Sequence, residues 1–309
     1  MKKILLTGAS GFVGSNVLEY MLEKTDWEFV CLCSWKHKGN PLNLQFAANN
    51  KRVTIISHDI NSPLPDLGYF DYILHLASES HVDRSISDPV PFIENNISGM
   101  LNILEYSRKY KPEVFLHFST DEVYGAMEHK EWDMLLPSNP YSASKAAQEM
   151  IAISYFKTYG IPVVITNSNN IIGKNQNQEK FVPKVIKQIN NGNEITIHTA
   201  NGEPAKRCWN PINNVSDALL FILNITPSKY PEKDRPDKYG LGGGHELNVL
   251  EIAQLIAKVL NKQLTYHLLD GEAVRPGIDA SYPKTEGTLE ILGWKSVETL
   301  EDCLKEFVK

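Results

Sequence analysis

The chain has 309 residues, enough for one large domain or two unequal lobes with a proper core. Hydrophobic residues make up 42% and charged residues 22%, ordinary globular values that argue against wholesale disorder. A formal net charge of -6 argues against a nucleic-acid surface, which carries a basic stripe, yet leaves room for an anionic small molecule held by local arginines and helix N-termini.

Strand-like runs are expected at 3–7, 28–33, 52–57, 72–76, 114–119 and 163–167, with helical periodicity at 12–24, 91–110 and 141–159. Strand, helix, strand repeated in this way predicts an α/β fold: a Rossmann-type, doubly wound parallel sheet with helices on both faces. Such sheets bind ligands at the carboxyl ends of their strands. Met1-Lys2-Lys3 runs straight into the first strand without a signal peptide's apolar stretch, and no run of about 18 apolar residues follows. The cytoplasm is therefore the expected location, with no membrane partner. The four cysteines (Cys31, Cys33, Cys208, Cys303) form no CxxC pair and no zinc spacing, so no metal site is expected. Cys31 and Cys33 read as alternating positions of the second strand.

The first strand leads directly into Thr7-Gly8-Ala9-Ser10-Gly11-Phe12-Val13-Gly14 and the first helix. In this GxxGxxG spacing Gly8 permits the tight turn, Gly11 lets the backbone approach a pyrophosphate, and Gly14 lets the helix pack close to the strand. The helix N-terminus adds unpaired N–H groups and a positive dipole end. A dinucleotide is the expected cofactor. An acidic residue normally ends the second strand and holds the adenosine ribose of NAD. Here the strand ends Cys33-Ser34-Trp35-Lys36-His37-Lys38 without a carboxylate, so Ser34 and Lys36 are placed to meet a 2′-phosphate and NADP is favoured over NAD. Asp59, after the third strand, is placed to accept from the adenine amine, with Ile60 beside it. Leu76, Ala77 and Ser119, at the ends of later strands, complete the expected cofactor contacts.

Ser119-Thr120-Asp121-Glu122-Val123-Tyr124-Gly125 follows the fifth strand, and Tyr141-Ser142-Ala143-Ser144-Lys145 opens a helix. Tyr141 and Lys145, four apart, share one helix face. A lysine ammonium beside the phenol, near a cationic nicotinamide, is expected to pull the phenol toward neutrality and make Tyr141 a base for a sugar hydroxyl.

From about residue 168 the grain changes. Loop-rich stretches at 167–180, 199–214 and 228–245 separate helices near 181–191, 214–224, 249–260 and 285–292. The expected division is a dinucleotide-binding domain over 1–167 and a smaller substrate lobe over 168–309, with some segments returning to the first domain.

The glycine loop with YxxxK resembles the extended short-chain dehydrogenase/reductase superfamily. The stretch 75–86 (HLASESHVDRSI), the segment 119–125 and Asn139-Pro140-Tyr141-Ser142-Ala143-Ser144-Lys145 resemble its nucleotide-sugar 4,6-dehydratases, especially those acting on dTDP-glucose. The likeness runs over essentially the whole chain and includes 176–183 (QNQEKFVP), Arg207 and Arg275-Pro276-Gly277. It implies that Tyr141 and Thr120 serve C4 oxidation, that Glu122 removes the C5 proton, and that protonated Asp121 donates to the departing C6 hydroxyl. It also implies a cofactor retained between turnovers, a nucleoside-diphosphate sugar held by Ser80, His81, Asn170, Lys180, Arg207 and Arg275, and a homodimer through the helices 91–110 and 141–159.

Four departures fall in the recognition loops: Asn167-Ser168-Asn169-Asn170-Ile171-Ile172-Gly173-Lys174 for the family's Arg-x-x-Asn-x-Tyr-Gly-Pro, Cys208-Trp209 for Asp-Trp, Ile278 for the His of Arg-Pro-Gly-His-Asp, and Tyr239-Gly240-Leu241-Gly242-Gly243-Gly244 for the Tyr-Asn-Ile-Gly-Gly type. The chemistry is thus better specified than the substrate. A 4-epimerase, a 5,6-dehydratase or a decarboxylase on the same scaffold stays open, as does a dinucleotide-binding protein without catalysis.

Overall fold

Runs such as Ile4-Leu5-Leu6, Phe115-Leu116 and Val163-Val164-Ile165 are apolar toward both sides, a pattern satisfied by a strand covered on both faces. All eight residues are fully buried. The structure, a computed structural model, describes residues 1–36, 39–126, 128–200, 202–225, 234–242, 244–270 and 288–308. Its first half alternates β1 (Lys3–Thr7), α1 (Phe12–Lys24), β2 (Glu28–Cys33), β3 (Val53–Ser57), β4 (Tyr72–His75), α2 (Val82–Ser87), α3 (Val90–Tyr110), β5 (Val114–Thr120), α4 (Pro140–Tyr159) and β6 (Val163–Ser168). The second half adds β7 (Asn170–Ile172), α5 (Phe181–Asn190), β8 (Ile195–Ala200), β9 (Glu203–Pro204), β10 (Lys206–Pro211), α6 (Ile212–Ile225), β11 (Asp237–Leu241), β12 (His245–Asn248), α7 (Val249–Leu260), β13 (Tyr266–Asp270), α8 (Thr288–Ile291) and α9 (Leu300–Phe307).

Seven strands form one sheet in the order β11-β6-β5-β4-β1-β2-β3, every pair parallel. This is the doubly wound α/β architecture expected from the alternating runs. Alternate residues divide between two cores, as the pleat requires. Ile4, Leu6, Leu116 and Val164 pack with Val17 and Met21 of α1 and Val215 and Leu219 of α6. Leu5, Phe115, Val163 and Ile165 pack with Met100 and Ile103 of α3 and Ala152 of α4. Strand order reverses beside β1, and Thr7 lies level with Leu32 on one side and His75 on the other. That reversal opens a crevice at the carboxyl edge.

The stretches read as loops at 167–180, 199–214 and 228–245 contain β7, β9, β10, β11 and the start of β12. These strands are short and mixed in polarity (KRCWNP, DKYGL, HELN), so no period of two shows in them. β12, β10 and β7 form one small sheet and β13, β8 and β9 another. Ile172, Val185, Ile189, Trp209, Ile252, Ile256 and Leu304 fill the core beneath them. β11 does not join these sheets; it extends the large sheet beyond β6.

The seating of α1 on β1 depends on Gly14, where a Cβ would collide with the Gly8 carbonyl. Gly14→Ala is expected to lower stability by about 1–3 kcal/mol, the usual cost of overpacking, read as a lower urea midpoint. An unchanged midpoint would show that helix and strand do not approach this closely.

Candidate active site

The crevice at the carboxyl edge holds about 770 Å³. Gly8 turns the chain out of β1 with φ +74°, and a Cβ there would stand 2.8 Å from the Ala77 backbone. Gly11 caps α1 without any side-chain hydrogen bond to the helix's first N–H groups. Those groups remain available to an anion beside Phe12, Val13 and Gly14, which line the cleft. The loop is held from outside: Asn40 N and Asn43 Nδ2 donate to the Ser10 carbonyl at 3.1 and 3.0 Å, and Asn16 Nδ2 to the Phe12 carbonyl at 2.8 Å. A cradle of backbone that tolerates no Cβ and lacks its own cap fits a pyrophosphate, and hence a dinucleotide.

At the far end of this groove Lys36 and Asp59 meet each other, Lys36 Nζ donating to Asp59 Oδ2 at 2.7 Å. This pairing holds the Asp59 carboxyl below its ordinary range. Ser34 is exposed beside them and accepts from Lys36 N at 3.4 Å.

The opposite end is built by β5 and α4. Thr120 caps the 3₁₀ turn Asp121–Tyr124, its hydroxyl accepting from Glu122 N at 3.3 Å and donating to Asp121 Oδ1 at 3.2 Å. Asn139 caps α4 by accepting from Ser142 N at 2.9 Å, and Pro140 occupies the first turn, where a missing N–H costs nothing. Tyr141 is thereby set at the base of the helix, its N–H donating to Ser85 Oγ at 3.1 Å. Asn169 Nδ2 donates to Asp121 Oδ2 at 2.8 Å, and Ser142 Oγ to Glu122 Oε2 at 3.2 Å. Lys145 Nζ donates to the Phe118 carbonyl at 2.8 Å.

The two carboxyls stand in different surroundings. Burial and the neighbouring Glu122 push Asp121 up to about 7, against the bonds from Asn169 and Thr120. Burial also raises Glu122, but the charges of Lys180 and Arg207 and the Ser142 hydroxyl counter it. Burial pushes Lys145 down to about 7, with Glu149 opposing. The phenol of Tyr141 lies near both carboxyls. Burial, Glu122 and Asp121 raise it, with a hydrogen bond from Thr120 working the other way. The Lys145 ammonium is engaged by the Phe118 carbonyl.

The cleft brings together Gly8, Ser10, Gly11, Phe12, Val13, Gly14, Ser34, Lys36, Asp59, Ile60, Leu76, Ala77, Ser80, His81, Ser119, Thr120, Asp121, Glu122, Tyr141, Lys145, Asn170 and Lys180. Lys180 Nζ reaches the Ser80 carbonyl at 3.1 Å, and His81 Nε2 lies 3.5 Å from Glu179. Arg207 directs its guanidinium to the Lys206 carbonyl at 2.7 Å, while its charge still reaches both carboxyls. Arg275 lies outside the described residues. Asn169, Ser142 and Asn139 were not singled out from the sequence. The Asn-Pro step before Tyr141 is a helix-start signal that points to Asn139; nothing local points to Asn169.

The sequence model of the GDP-mannose 4,6 dehydratase family matches residues 5–307. A dTDP-glucose 4,6-dehydratase of Salmonella typhimurium is 32% identical, the match covering 99% of this chain and 92% of the relative. The dTDP-glucose 4,6-dehydratase DesIV of Streptomyces venezuelae, solved with NAD bound, superposes with a TM-score of 0.88 at 28% identity, covering 99% and 95% of the two chains. A UDP-N-acetylglucosamine 4-epimerase of Methanobrevibacter ruminantium superposes with a TM-score of 0.85 at 25% identity, covering 99% and 97%.

The raised Asp121 carboxyl has a consequence for stability. Between about pH 4 and pH 7 the unfolded carboxyl is ionised while the folded one keeps its proton, so stability falls as pH rises through that window. Asp121→Asn is expected to flatten this fall and to gain on the order of 1–3 kcal/mol at pH 8 relative to the parent, measured by urea unfolding across pH. A slope equal to the parent's would show that Asp121 ionises freely.

Proposed function

The chain belongs to the GDP-mannose 4,6-dehydratase family, and on that premise we propose that it is an enzyme converting a nucleoside-diphosphate hexose to its 4-keto-6-deoxy product. The observation that carries the reading is the Asp121–Glu122 pair, two adjacent carboxyls with unlike surroundings, beside Tyr141 and Lys145. The glycine loop from Gly8 to Gly14 would hold a nicotinamide dinucleotide, which would supply a reversible hydride acceptor for C4 oxidation and C6 reduction.

Tyr141, as the phenolate that the Lys145 ammonium and a cationic nicotinamide would favour, takes the C4 hydroxyl proton, with Thr120 hydrogen-bonded to the same oxygen. The C4 ketone acidifies the C5 proton, which Glu122 removes. Asp121, still protonated near neutral pH, gives its proton to the C6 hydroxyl, which leaves as water. Glu122 returns its proton to C5 as hydride reaches C6, and the proton held by Tyr141 replaces the one Asp121 lost. Substrate and product therefore differ by one water, with no net change in the cofactor. A 4-epimerase needs no C5 proton transfer, so the carboxyl pair favours dehydration.

Lys180, Asn170, Arg207 and Arg275 are assigned to the nucleotide diphosphate, and Ser80 and His81 to the sugar. Arginine suits this task because its planar fork meets two phosphate oxygens at once. For the cofactor, the absence of an acid at the end of β2 favours NADP. The Lys36–Asp59 pair is exposed on the lysine side (61%), and such surface pairs are worth about 0–1 kcal/mol, so a 2′-phosphate can draw Lys36 away. A homodimer is supported by apolar side chains left open on α3 and α4, with Ile93 43%, Leu101 38% and Met150 50% exposed.

Incubation with dTDP-, UDP-, GDP- and CDP-hexoses should produce loss of one water from one of them by mass spectrometry, without net cofactor consumption. A new isomer of unchanged mass would move the assignment to an epimerase. Tyr141→Phe should abolish hydride transfer. Glu122→Gln should reduce bound cofactor and stall before water loss; full turnover by it would remove Glu122 from its role. Ser34→Asp should shift preference from NADP to NAD by about tenfold or more, on the order of 1.4 kcal/mol. Equal affinity of the parent for both cofactors would overturn the NADP assignment.

A further inference from the structure

Tyr141, Lys145 and Glu149 recur every four residues along α4, which stands their side chains in one row. Glu149 ends that row inside the protein. Its Oε2 accepts from Lys238 Nζ at 2.6 Å, with the two side chains 0% and 2% exposed. Its Oε1 accepts from Asn167 Nδ2 at 2.8 Å, and the same amide donates to the Thr120 carbonyl at 2.9 Å. One carboxylate thus joins β11, β6 and the end of β5. The Lys238 ammonium also lies 4.6 Å from the centre of the Tyr124 ring. Burying two charges costs several kcal/mol for each, and apolar residues of similar volume would close the sheet edge as well or better. Packing alone gives no reason for this pair.

We propose that Glu149, held in place by Lys238 and Asn167, is a positioning residue for the hydride step: from one turn along α4 it keeps the Lys145 ammonium charged, and through Asn167 it fixes the Thr120 backbone at the end of β5. The inference rests on the reading of Tyr141 and Lys145 as the proton-transfer pair. The groups around Lys145 show what Glu149 does. Buried His75 on β4 and His117 on β5 face it as imidazoles kept neutral by burial. Tyr141 precedes it on α4, with Asp121 and Glu122 beyond the phenol. Around Glu149 stand Lys238 on β11 and Tyr124 in the turn after β5. Glu149 is the carboxylate that opposes the effect of burial on Lys145. Removing its charge makes the ammonium lose its proton at lower pH.

The test has two readouts. The first is the pH dependence of Lys145 acylation by acetic anhydride, followed by peptide mass spectrometry, which needs no turnover. In Glu149→Gln the midpoint should move down by about one pH unit or more, and Glu149→Asp, which keeps the charge, should move it back. The second is the pH profile of kcat, whose alkaline limb should move with the midpoint, while KM for the nucleotide sugar stays within about twofold, because Glu149 does not line the cleft. If Glu149→Gln does not fold, the double variant Glu149→Gln with Lys238→Met is compared with Lys238→Met alone, so that the two differ only in the Glu149 charge. An unmoved Lys145 midpoint overturns the proposal, whatever happens to activity. A moved midpoint with an unmoved kcat limb overturns the link to the hydride step. A fully active Tyr141→Phe would instead overturn the reading of the pair itself.

Discussion

Burying charge beside charge is the constraint around which this site is organised. Where β5 meets α4, Asp121, Glu122, Tyr141, Lys145, Glu149 and Lys238 stand within a few side chains of one another, several of them out of contact with solvent. An unpaired buried ion is expensive, so each group must find a partner or change its protonation state. Glu149 finds Lys238. Asp121, buried beside Glu122, keeps its proton to higher pH than a free carboxyl, and Asn169, a neutral donor, offsets this only in part. Glu122 feels the cations across the cleft and a serine hydroxyl. Two carboxyls a single position apart thereby meet different surroundings, which is what an acid and a base working on adjacent carbons require.

The cofactor end solves the opposite problem. An anion must be held by a chain that is itself acidic overall. The groove does so largely with backbone: a turn with positive φ at Gly8, a helix start left uncapped at Gly11, and a close approach at Gly14. These donors carry partial charge and need no counter-ion, so they survive beside acidic neighbours. Asn16, Asn40 and Asn43 hold the loop's carbonyls and keep its N–H groups turned toward the cleft.

What could be read from the sequence is what lies within one turn or one strand end. GxxGxxG, Thr120-Asp121-Glu122 and the Tyr141–Lys145 spacing are local, and the long apolar strands announce the parallel sheet. The missing pieces come from pairings across long separations. Asn169 reaches Asp121 from the end of β6, and Lys238 reaches Glu149 from β11, a strand that carries a lysine and a glycine and shows no period of its own. The Tyr141 phenol followed the same pattern: adjacency of Tyr141 and Lys145 on the helix was legible, but the direction of the ammonium depended on the Phe118 carbonyl of another strand. Lys36 and Asp59 were each assigned to the cofactor, and only the spatial approach of β2 and β3 pairs them with each other.

The fold itself does not select the reaction. A 4-epimerase superposes on this chain nearly as well as a dehydratase does, with TM-scores of 0.85 and 0.88. The proposed dehydration assigns C4 oxidation to a tyrosine and a lysine on one helix face. Dehydration asks for two further protons to move, one off C5 and one onto the C6 oxygen, and those must pass through groups in opposite states at the same pH. Adjacent carboxyls already push their titrations apart, since like charges at short range resist ionising together, and unlike surroundings decide which of the two keeps the proton. Here the turn after β5 places one carboxyl against an amide in the dry interior and the other toward cations across the cleft. The difference between the two chemistries is then a difference of local environment at one strand end, which a common scaffold can acquire without altering its sheet.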